Sequence, residues 1–410
     1  MPFSGNSNMP TTSSPPSIST LKNETVPPRH QPDQPGNLTV RWVESVEELE
    51  SLKQPWTRLA ERSLSTNASF EPNFLIPAMR HFGNSKVKVL IVEESGNPLD
   101  KNATRIFGLM PLIPKSFYHL PIRCLEIWSH DQSFDQTPLL SKAHAGKALE
   151  AMLDFLAQEK VGLLSFDTVS KEPEFQSILD NAIQCPGRSQ FQRDQFSRAA
   201  FRPIVALEDY KKQFVSKSVK KNYGRLSRRL AELGEVQLVQ SDAFSDYEKL
   251  TNQFLEMEAS GWKVEAGTAL ACQPTTQEFY RELIKSAAND GKARFLSLTL
   301  DGKPIAMLSD LRSGQNIYSF KTAFDENYSS FSPGLQIEIG NIESMHQSGI
   351  QLADSCTAPD NSTINRIWGQ RLEFQSLVIG LRPGVANWAT QIMPSLQAVA
   401  HKIKNMRSKK

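Results

Sequence analysis

The pattern of apolar and polar positions predicts alternating strands and helices from residue 38 onward. Apolar residues alternate with polar ones over 38–43, and they then recur at helical spacing from Val46 to Leu59. The pattern continues with a helix near 70–82, strands at 87–92, 105–113 and 124–128, a helix at 143–156 and a strand at 161–168. This part of the chain therefore has the order β-α-α-β-β-β-α-β.

The same order is predicted a second time. A strand at 236–240 precedes helices at 245–258 and 275–289, three strands within 295–323, a helix after Ser332-Pro333-Gly334 and a strand at 351–356. Asp301-Gly302 and Ser313-Gly314 supply the turns between the three strands. A repeat of this length indicates two similar domains of an α+β fold with a mixed α/β sheet, not a solenoid.

A helix over about 210–233 is predicted to connect the two domains. Its apolar residues form one stripe, and its basic residues have no acid between them: Lys211, Lys212, Lys217, Lys220, Lys221, Arg225, Arg228 and Arg229. The basic face is either solvated or a binding surface for a nucleotide phosphate, a tRNA backbone or an anionic sugar polymer.

The two ends of the chain differ in composition from the rest. Residues 1–37 are rich in Ser, Thr, Pro and Asn, which predicts a disordered tail, and they lack the features of a secretory signal. The expected organisation is a tail at 1–37, a first domain at 38–207, a basic amphipathic linker helix at 208–234, a second domain at 235–384 and a basic C-terminal tail at 385–410.

Composition narrows the class of protein. The chain of 410 residues is 39% hydrophobic and 22% charged with a net charge of +2, which is ordinary for a soluble globular protein and neither demands nor excludes a nucleic-acid partner. No apolar run is long enough to span a bilayer, so no integral membrane association is expected. The four cysteines and seven histidines show no metal-ligand spacing. We therefore expect reduced thiols, a cytoplasmic location and no metal.

Ser332-Pro333-Gly334 is the strongest local candidate for a binding site. Serine is a preferred N-cap, proline suits the first helical position, and glycine lets a ligand approach the backbone. Free N–H groups and the helix dipole at such a start attract anions. The alternative is an ordinary capped helix.

Several short motifs occur in an order that resembles a known superfamily. They are Arg228-Arg229-Leu230 with Gly234, Gly261-Trp262-Lys263, Gly302-Lys303-Pro304-Ile305-Ala306, Ser332-Pro333-Gly334, and Asp354 followed by Trp368. Together with the repeated element order, residues 38–380 resemble the GNAT acyl-CoA N-acyltransferases. More narrowly, they resemble the tandem-domain CelD/BcsL-type acetyltransferases associated with bacterial cellulose and exopolysaccharide production, which are similar to the Fem peptidyltransferases.

The resemblance implies an acyl-CoA donor, such as acetyl-CoA, and no metal. It places the coenzyme A pyrophosphate at Ser332, Gly334, Leu335 and Gln336, and we add Lys321, a cation on the preceding strand. The usual R/Q-x-x-G-x-G/A loop is missing in both halves, and the corresponding first-half stretch, 130–135, has no glycine. The first domain is therefore expected to be a degenerate GNAT-like domain that shapes the acceptor cleft. The missing loop leaves two donors open, acyl-CoA or the aminoacyl-tRNA used by the Fem group.

The resemblance also suggests residues for acyl transfer. Asp354 is a candidate general base or ammonium-positioning group, or else a loop-capping residue, and Asp325 could do the same work. Tyr318 is a candidate proton donor or a core residue. The acceptor side is expected to include Trp262, Lys263, Trp368 and Arg366.

The predicted function is transfer of an acetyl or other acyl group to an amine or hydroxyl of a small molecule or glycan precursor, in polysaccharide or cell-envelope biosynthesis. The alternatives are a tRNA-dependent aminoacyl transferase and a non-catalytic binding protein.

Overall fold

The computed structural model describes residues 38–94, 104–117, 119, 121–241, 246–261, 267 and 269–395, all within one compact unit. The expected tail at 1–37 and residues 396–410 of the expected C-terminal tail lie outside the described residues.

The described strands form one 13-stranded mixed sheet. They are β1 Leu38–Val43, β2 Lys88–Glu94, β3 Arg105–Lys115, β4 Cys124–Ile127, β5 Leu139–Leu140, β6 Leu163–Ser170, β7 Ser189–Phe201, β8 Val236–Ser241, β9 Ala293–Leu300, β10 Lys303–Ser313, β11 Asn316–Phe324, β12 Leu352–Asp354 and β13 Gln370–Gly380. Their order across the sheet is β1-β2-β3-β4-β6-β13-β7-β12-β11-β10-β9-β8, and β5 pairs with β3.

The described residues also form helices. They are α1 Val46–Ser51, α2 Lys53–Glu61, α3 Pro72–Phe82, α4 Ala145–Gln158, α5 Pro173–Ile183, α6 Leu207–Phe214, α7 Lys217–Ala231, α8 Tyr247–Ala259, α9 Pro274–Asn289, α10 Pro333–Gln347 and α11, residues 385–395. Short 3-10 turns occur at Ala68–Phe70, Lys142–His144, Leu270–Cys272, Glu326–Phe331 and Ile364–Arg366. Across the described ranges, every helix is too short or too polar to cross a membrane.

The repeated order of elements is confirmed. Each half places a meander of three antiparallel strands, β2-β3-β4 or β9-β10-β11, before a long helix. In each half the strand after that helix runs parallel to the last meander strand: β4 pairs with β6, and β11 with β12. The mixed sheet therefore consists of two units with the same order of elements.

The two halves exchange their last strands. β13, from the second half, pairs with β6 of the first half, and β7, from the first half, pairs with β12 of the second. β7 and β13 also pair with each other, and their paired residues run from Ser189 opposite Gly380 to Ala200 opposite Gln370. Each half thus supplies a strand to the sheet of the other. The expected domains at 38–207 and 235–384 therefore do not correspond to two separate sheets.

The prediction of one linker helix was wrong in one respect. The basic segment is two helices, α6 and α7, separated at Val215 and Ser216. The Ser216 side chain accepts a hydrogen bond from Val219 N at 3.3 Å and so caps the start of α7. Val219, Leu226 and Leu230 are buried, as the apolar stripe predicts.

Aromatic side chains join the two halves in the core. Phe74 of α3 makes edge-to-face contacts with Phe279 of α9 and Phe320 of β11, with ring centroids 5.4 and 5.9 Å apart. At the C-terminal end, Ala386 and Met393 of α11 pack on Leu163 and Val378. The segment expected as a tail thus begins with a packed helix.

Candidate active site

The parallel strands of the second half separate after three residue pairs. In the pairing of β11 with β12, Asn316 lies opposite Leu352 and Tyr318 opposite Asp354. β12 ends at Asp354, while β11 continues to Phe324. We call the space beyond this last pair the wedge. The register of β10 and β11 also shifts between Ser309 and Asp310, so that Phe320 is the additional residue of a β-bulge. Because a bulge interrupts the ladder, it frees backbone groups of β11 beside the wedge.

The start of α10 lies at the far end of β11, and it differs from the prediction. Ser332 adopts a left-handed conformation, with φ 51° and ψ 57°, and its side chain makes no capping bond. Its backbone carbonyl instead accepts hydrogen bonds from Leu335 N and Gln336 N at 3.0 and 3.1 Å. Pro333 has no N–H, and within the described ranges the N–H of Gly334 has no acceptor. One backbone donor at the positive end of the helix dipole therefore remains available.

This helix start opens into a groove of about 530 Å³. Its lining consists of Ser218, Val219 and Asn222 of α7, Phe324, Ser329, residues 332–335, Thr363 and Arg366. Arg366 is exposed, and no acceptor for its guanidinium occurs in the described part of the chain. A free guanidinium and a free N–H at a helix N-terminus are the groups that bind phosphate oxygens.

The basic helix contributes directly to this groove, which the sequence did not reveal. Ser218, Asn222, Arg225 and Arg229 follow one another at helical spacing on α7. The Arg229 guanidinium lies 5.4 Å from the ring centre of Phe331, directly before Ser332. In the sequence, this contribution is indicated only by Ser218 and Asn222, two small polar residues within the basic run.

The corresponding opening in the first half is filled by the chain itself. Gln136 is buried, and its Nε2 donates to Ile127 O at 3.2 Å, while its Oε1 accepts from Asp167 N and Thr168 N at 2.6 and 3.1 Å. The side chain thus bridges β4 and β6 where they separate. Gly146 occupies the second position of α4, as Gly334 does in α10, so the filled opening, and not the lack of a glycine, distinguishes the two halves.

Asp354 lies at the closed end of the wedge, in a buried ion pair. Its Oδ1 accepts from Arg198 Nε at 2.7 Å and from Cys356 N at 2.9 Å, and its Oδ2 accepts from Arg198 Nη2. Arg198 also donates to Phe134 O at 2.6 Å. Both carboxylate oxygens are therefore engaged.

Tyr318 links the two halves. Its hydroxyl donates to Thr66 O at 2.7 Å and lies 2.8 Å from Thr66 Oγ1, and its ring stacks on Phe134 with centroids 5.3 Å apart. Burial raises the pKa of Tyr318 well above its usual value. The hydroxyl is protonated and committed to Thr66.

The other predicted site residues are divided between the groove and the core. Ser332, Gly334, Leu335 and Arg366 line the groove together. Asp325 Oδ1 accepts from Asn327 N at 3.0 Å and caps the 3-10 turn before α10.

The remaining predicted residues do not line the groove. Trp368 is fully buried, Gln336 donates to Phe331 O at 2.9 Å, and Lys321 is half-buried on β11. Trp262 and Lys263 lie outside the described residues. No group of three or more acidic, histidine or cysteine side chains that could hold a metal occurs within the described ranges.

The family comparison matches this part of the molecule. Residues 217–361, from α7 to the loop after β12, match the acetyltransferase (GNAT) domain. The second half therefore carries a GNAT-type acyltransferase domain. Among curated proteins, none matches the chain.

Two solved structures have a similar fold. A crystal structure of FemX has 10% sequence identity and a TM-score of 0.50, with 79% of this chain and 95% of that chain covered. The C-terminal domain (DUF2156) of a putative lysylphosphatidylglycerol synthetase from Agrobacterium fabrum has 11% identity and a TM-score of 0.51, with 86% and 97% covered. At this identity the likeness shows the fold alone.

Proposed function

We propose that the second half transfers an acyl group from an acyl-CoA, such as acetyl-CoA, to an amine or hydroxyl. The observation that carries this proposal is the groove at the start of α10, which lies at the end of the strand that borders the open wedge. Donor phosphates at one end of β11 and an acyl group near its bulge would use both features.

The phosphate end has a defined set of protein groups. Gly334 offers its backbone N–H, Arg366 its guanidinium, and Ser332 a hydroxyl that is free of a capping bond. A Cβ built at Gly334 would lie 3.4 Å from Phe324 Cδ1, an ordinary contact, so the helix start has room for a side chain or a ligand at this position. Charge-assisted hydrogen bonds of this kind contribute about 1.5–3 kcal/mol each.

The acyl end depends on the backbone of β11. The thioester supplies an activated carbonyl, and N–H groups at the bulge near Phe320 would stabilise the negative charge that develops on its oxygen. Acyl transfer then forms a bond from the nucleophilic nitrogen or oxygen to the carbonyl carbon and breaks the C–S bond. The proton lost by the nucleophile ends on the coenzyme A thiolate, which leaves as the free thiol. We assign Tyr318 and Asp354 to holding the closed end of the wedge, because their polar groups are engaged by Thr66 and Arg198.

The first half, in this proposal, binds no donor and shapes the acceptor side. Gln136 fills the opening where its donor would lie. The resemblance noted from the sequence suggests a glycan precursor as acceptor, in polysaccharide or cell-envelope biosynthesis.

Calorimetric titration with coenzyme A tests the donor site. Gly334→Glu places a carboxylate at the groove and should weaken binding at least tenfold. Gly146→Glu is the matched control, because it makes the same change at the same position of α4, where a Cβ meets nothing within 4 Å. Wild-type protein that fails to bind at millimolar coenzyme A, or equal losses in both variants, would refute the assignment.

A second candidate donor is aminoacyl-tRNA, and the exposed face of α7 favours it. Lys217, Lys221, Arg225, Arg228 and Arg229 are exposed, and two of them continue the row that enters the groove. Binding of tRNA should then weaken steeply between 50 and 200 mM salt, by about tenfold or more, because phosphate contacts release counterions. Filter binding that is absent or independent of salt would exclude this donor.

A further inference from the structure

A cavity of about 320 Å³ lies at the boundary between the two halves. Its walls carry hydroxyl groups from Ser65 and Ser170 and side-chain amides from Asn316 and Gln351. Phe374, with Leu64, Leu352 and Leu372, supplies an apolar surface. Since a water molecule takes up about 30 Å³, the volume suits a ligand of roughly ten non-hydrogen atoms, the size of a monosaccharide.

Asp135 is the distinctive group of this cavity. Its side chain is almost completely buried, and its Oδ1 accepts hydrogen bonds from Thr137 N and Thr137 Oγ1 at 2.8 and 2.6 Å. Its Oδ2 has no hydrogen-bond partner within the described ranges, although the residue lines the cavity. Burial raises the pKa of Asp135 to about 6, so the carboxylate is ionised at neutral pH. Asp135 Oδ2 is not fully hidden from solvent and has no protein partner in the described ranges, so it is available to a ligand in the cavity.

The neighbouring charges leave one net negative charge at Asp135 and Asp354, since the single guanidinium of Arg198 pairs with Asp354 and also acts on Asp135. Asp354 is neutralised by Arg198, and at the rim Glu172 lies 3.5 Å from Arg202. Tyr318 is kept protonated because burial raises its pKa. Cys356, whose thiol pKa burial also raises, is likewise neutral. The cavity therefore favours a ligand that brings a positive charge to Asp135 and hydroxyl groups to the polar walls.

We propose that this cavity binds a small hydroxyl-bearing amine of monosaccharide size, with its amino group at Asp135 Oδ2. This proposal rests on the acyltransferase function, in which the amine is the acceptor. Tyr318 and Asp354, which close the wedge of the donor site, also line the cavity. The acceptor and the acyl group therefore meet at the same pair of residues.

Calorimetric titration of the full chain without coenzyme A tests the cavity separately from the donor groove. Glucosamine is the probe, and glucose is the matched ligand that lacks the amine. We expect glucosamine to bind at least tenfold more tightly than glucose at pH 7.5. Asp135→Asn, which keeps an oxygen for Thr137, should remove that preference and leave glucose affinity within twofold.

Asp131→Asn is the control variant, because Asp131 is an exposed aspartate in the same loop. It should leave the preference for glucosamine unchanged. Failure of glucosamine to bind up to 100 mM, or a full preference in Asp135→Asn, would overturn the proposal. Either result would leave the coenzyme A titration, and thus the donor site, unaffected.

Discussion

The pH dependence of folding stability in Asp135→Asn provides a quantitative test of the buried carboxylate. The pKa of Asp135 is about 6 because of burial, against 3.8 for an unperturbed aspartate. The folded protein therefore holds a proton over a pH range in which the unfolded chain has released it. Stability contributed by the protonated form is complete below pH 3.8 and is lost as the pH rises through 6.

The magnitude follows from the two pKa values. The difference corresponds to roughly 3 kcal/mol between the ionised and protonated carboxyl in the folded state. Asparagine has the same shape and no charge, so at pH 7.5 the variant should be more stable than wild type by up to roughly 3 kcal/mol. Integrating the difference in bound protons from pH 7.5 to pH 5 raises the free energy of unfolding of wild type by about 1.4 kcal/mol, a gain that the variant lacks.

Urea denaturation of both proteins at pH 5 and pH 7.5 measures this quantity. The advantage of the variant should shrink by about 1.4 kcal/mol at pH 5. Comparing the two pH values removes any general effect of the amide. An advantage that is the same at both pH values, or that grows at pH 5, would refute the assignment of a raised pKa to Asp135.

Three further substitutions test the rest of the structure. Gln136→Ala should destabilise the protein by about 3 kcal/mol in urea denaturation, because it leaves Asp167 N and Thr168 N without their hydrogen-bond acceptor. Coenzyme A affinity should stay within twofold, and a large loss of affinity would contradict a filled first half. Asp354→Asn should cost about 3–5 kcal/mol by the same assay, since it leaves Arg198 buried without its partner, and a neutral result would show that the ion pair is dispensable. Ser332→Gly should gain about 1 kcal/mol by relieving the left-handed backbone, and a lower melting temperature would point to a structural role of the hydroxyl.

Local patterns predicted most of the fold. The strands of both meanders and the start of α10 at Pro333 follow from alternation, turn residues and Ser-Pro-Gly. β7 was missed because its polar and charged residues hide an alternation whose partners lie far away in sequence. The strand exchange depends on pairing over more than a hundred residues, and no local propensity encodes such pairing.

The candidate site was predicted less completely, for the same reason. Ser332 and Gly334 line one groove together with Arg366, which the sequence had placed on the acceptor side, and Ser332 uses its carbonyl where a capping hydroxyl was expected. Asp354 was predicted to be catalytic, and its ion pair could not be recognised from the sequence because its partner, Arg198, lies on a distant strand of the other half. Asp135 was not predicted as a site residue, because only the folded chain shows that its Oδ2 lines a cavity without a partner among the described residues.

A crystal structure of the acetyl-CoA complex would show where the donor binds. We expect electron density for the pyrophosphate within hydrogen-bond distance of Gly334 N and the Arg366 guanidinium, with the acyl group in the wedge beyond Tyr318 and Asp354. Density at the start of α4 near Gly146, or a groove that stays empty at saturating acetyl-CoA, would contradict this expectation.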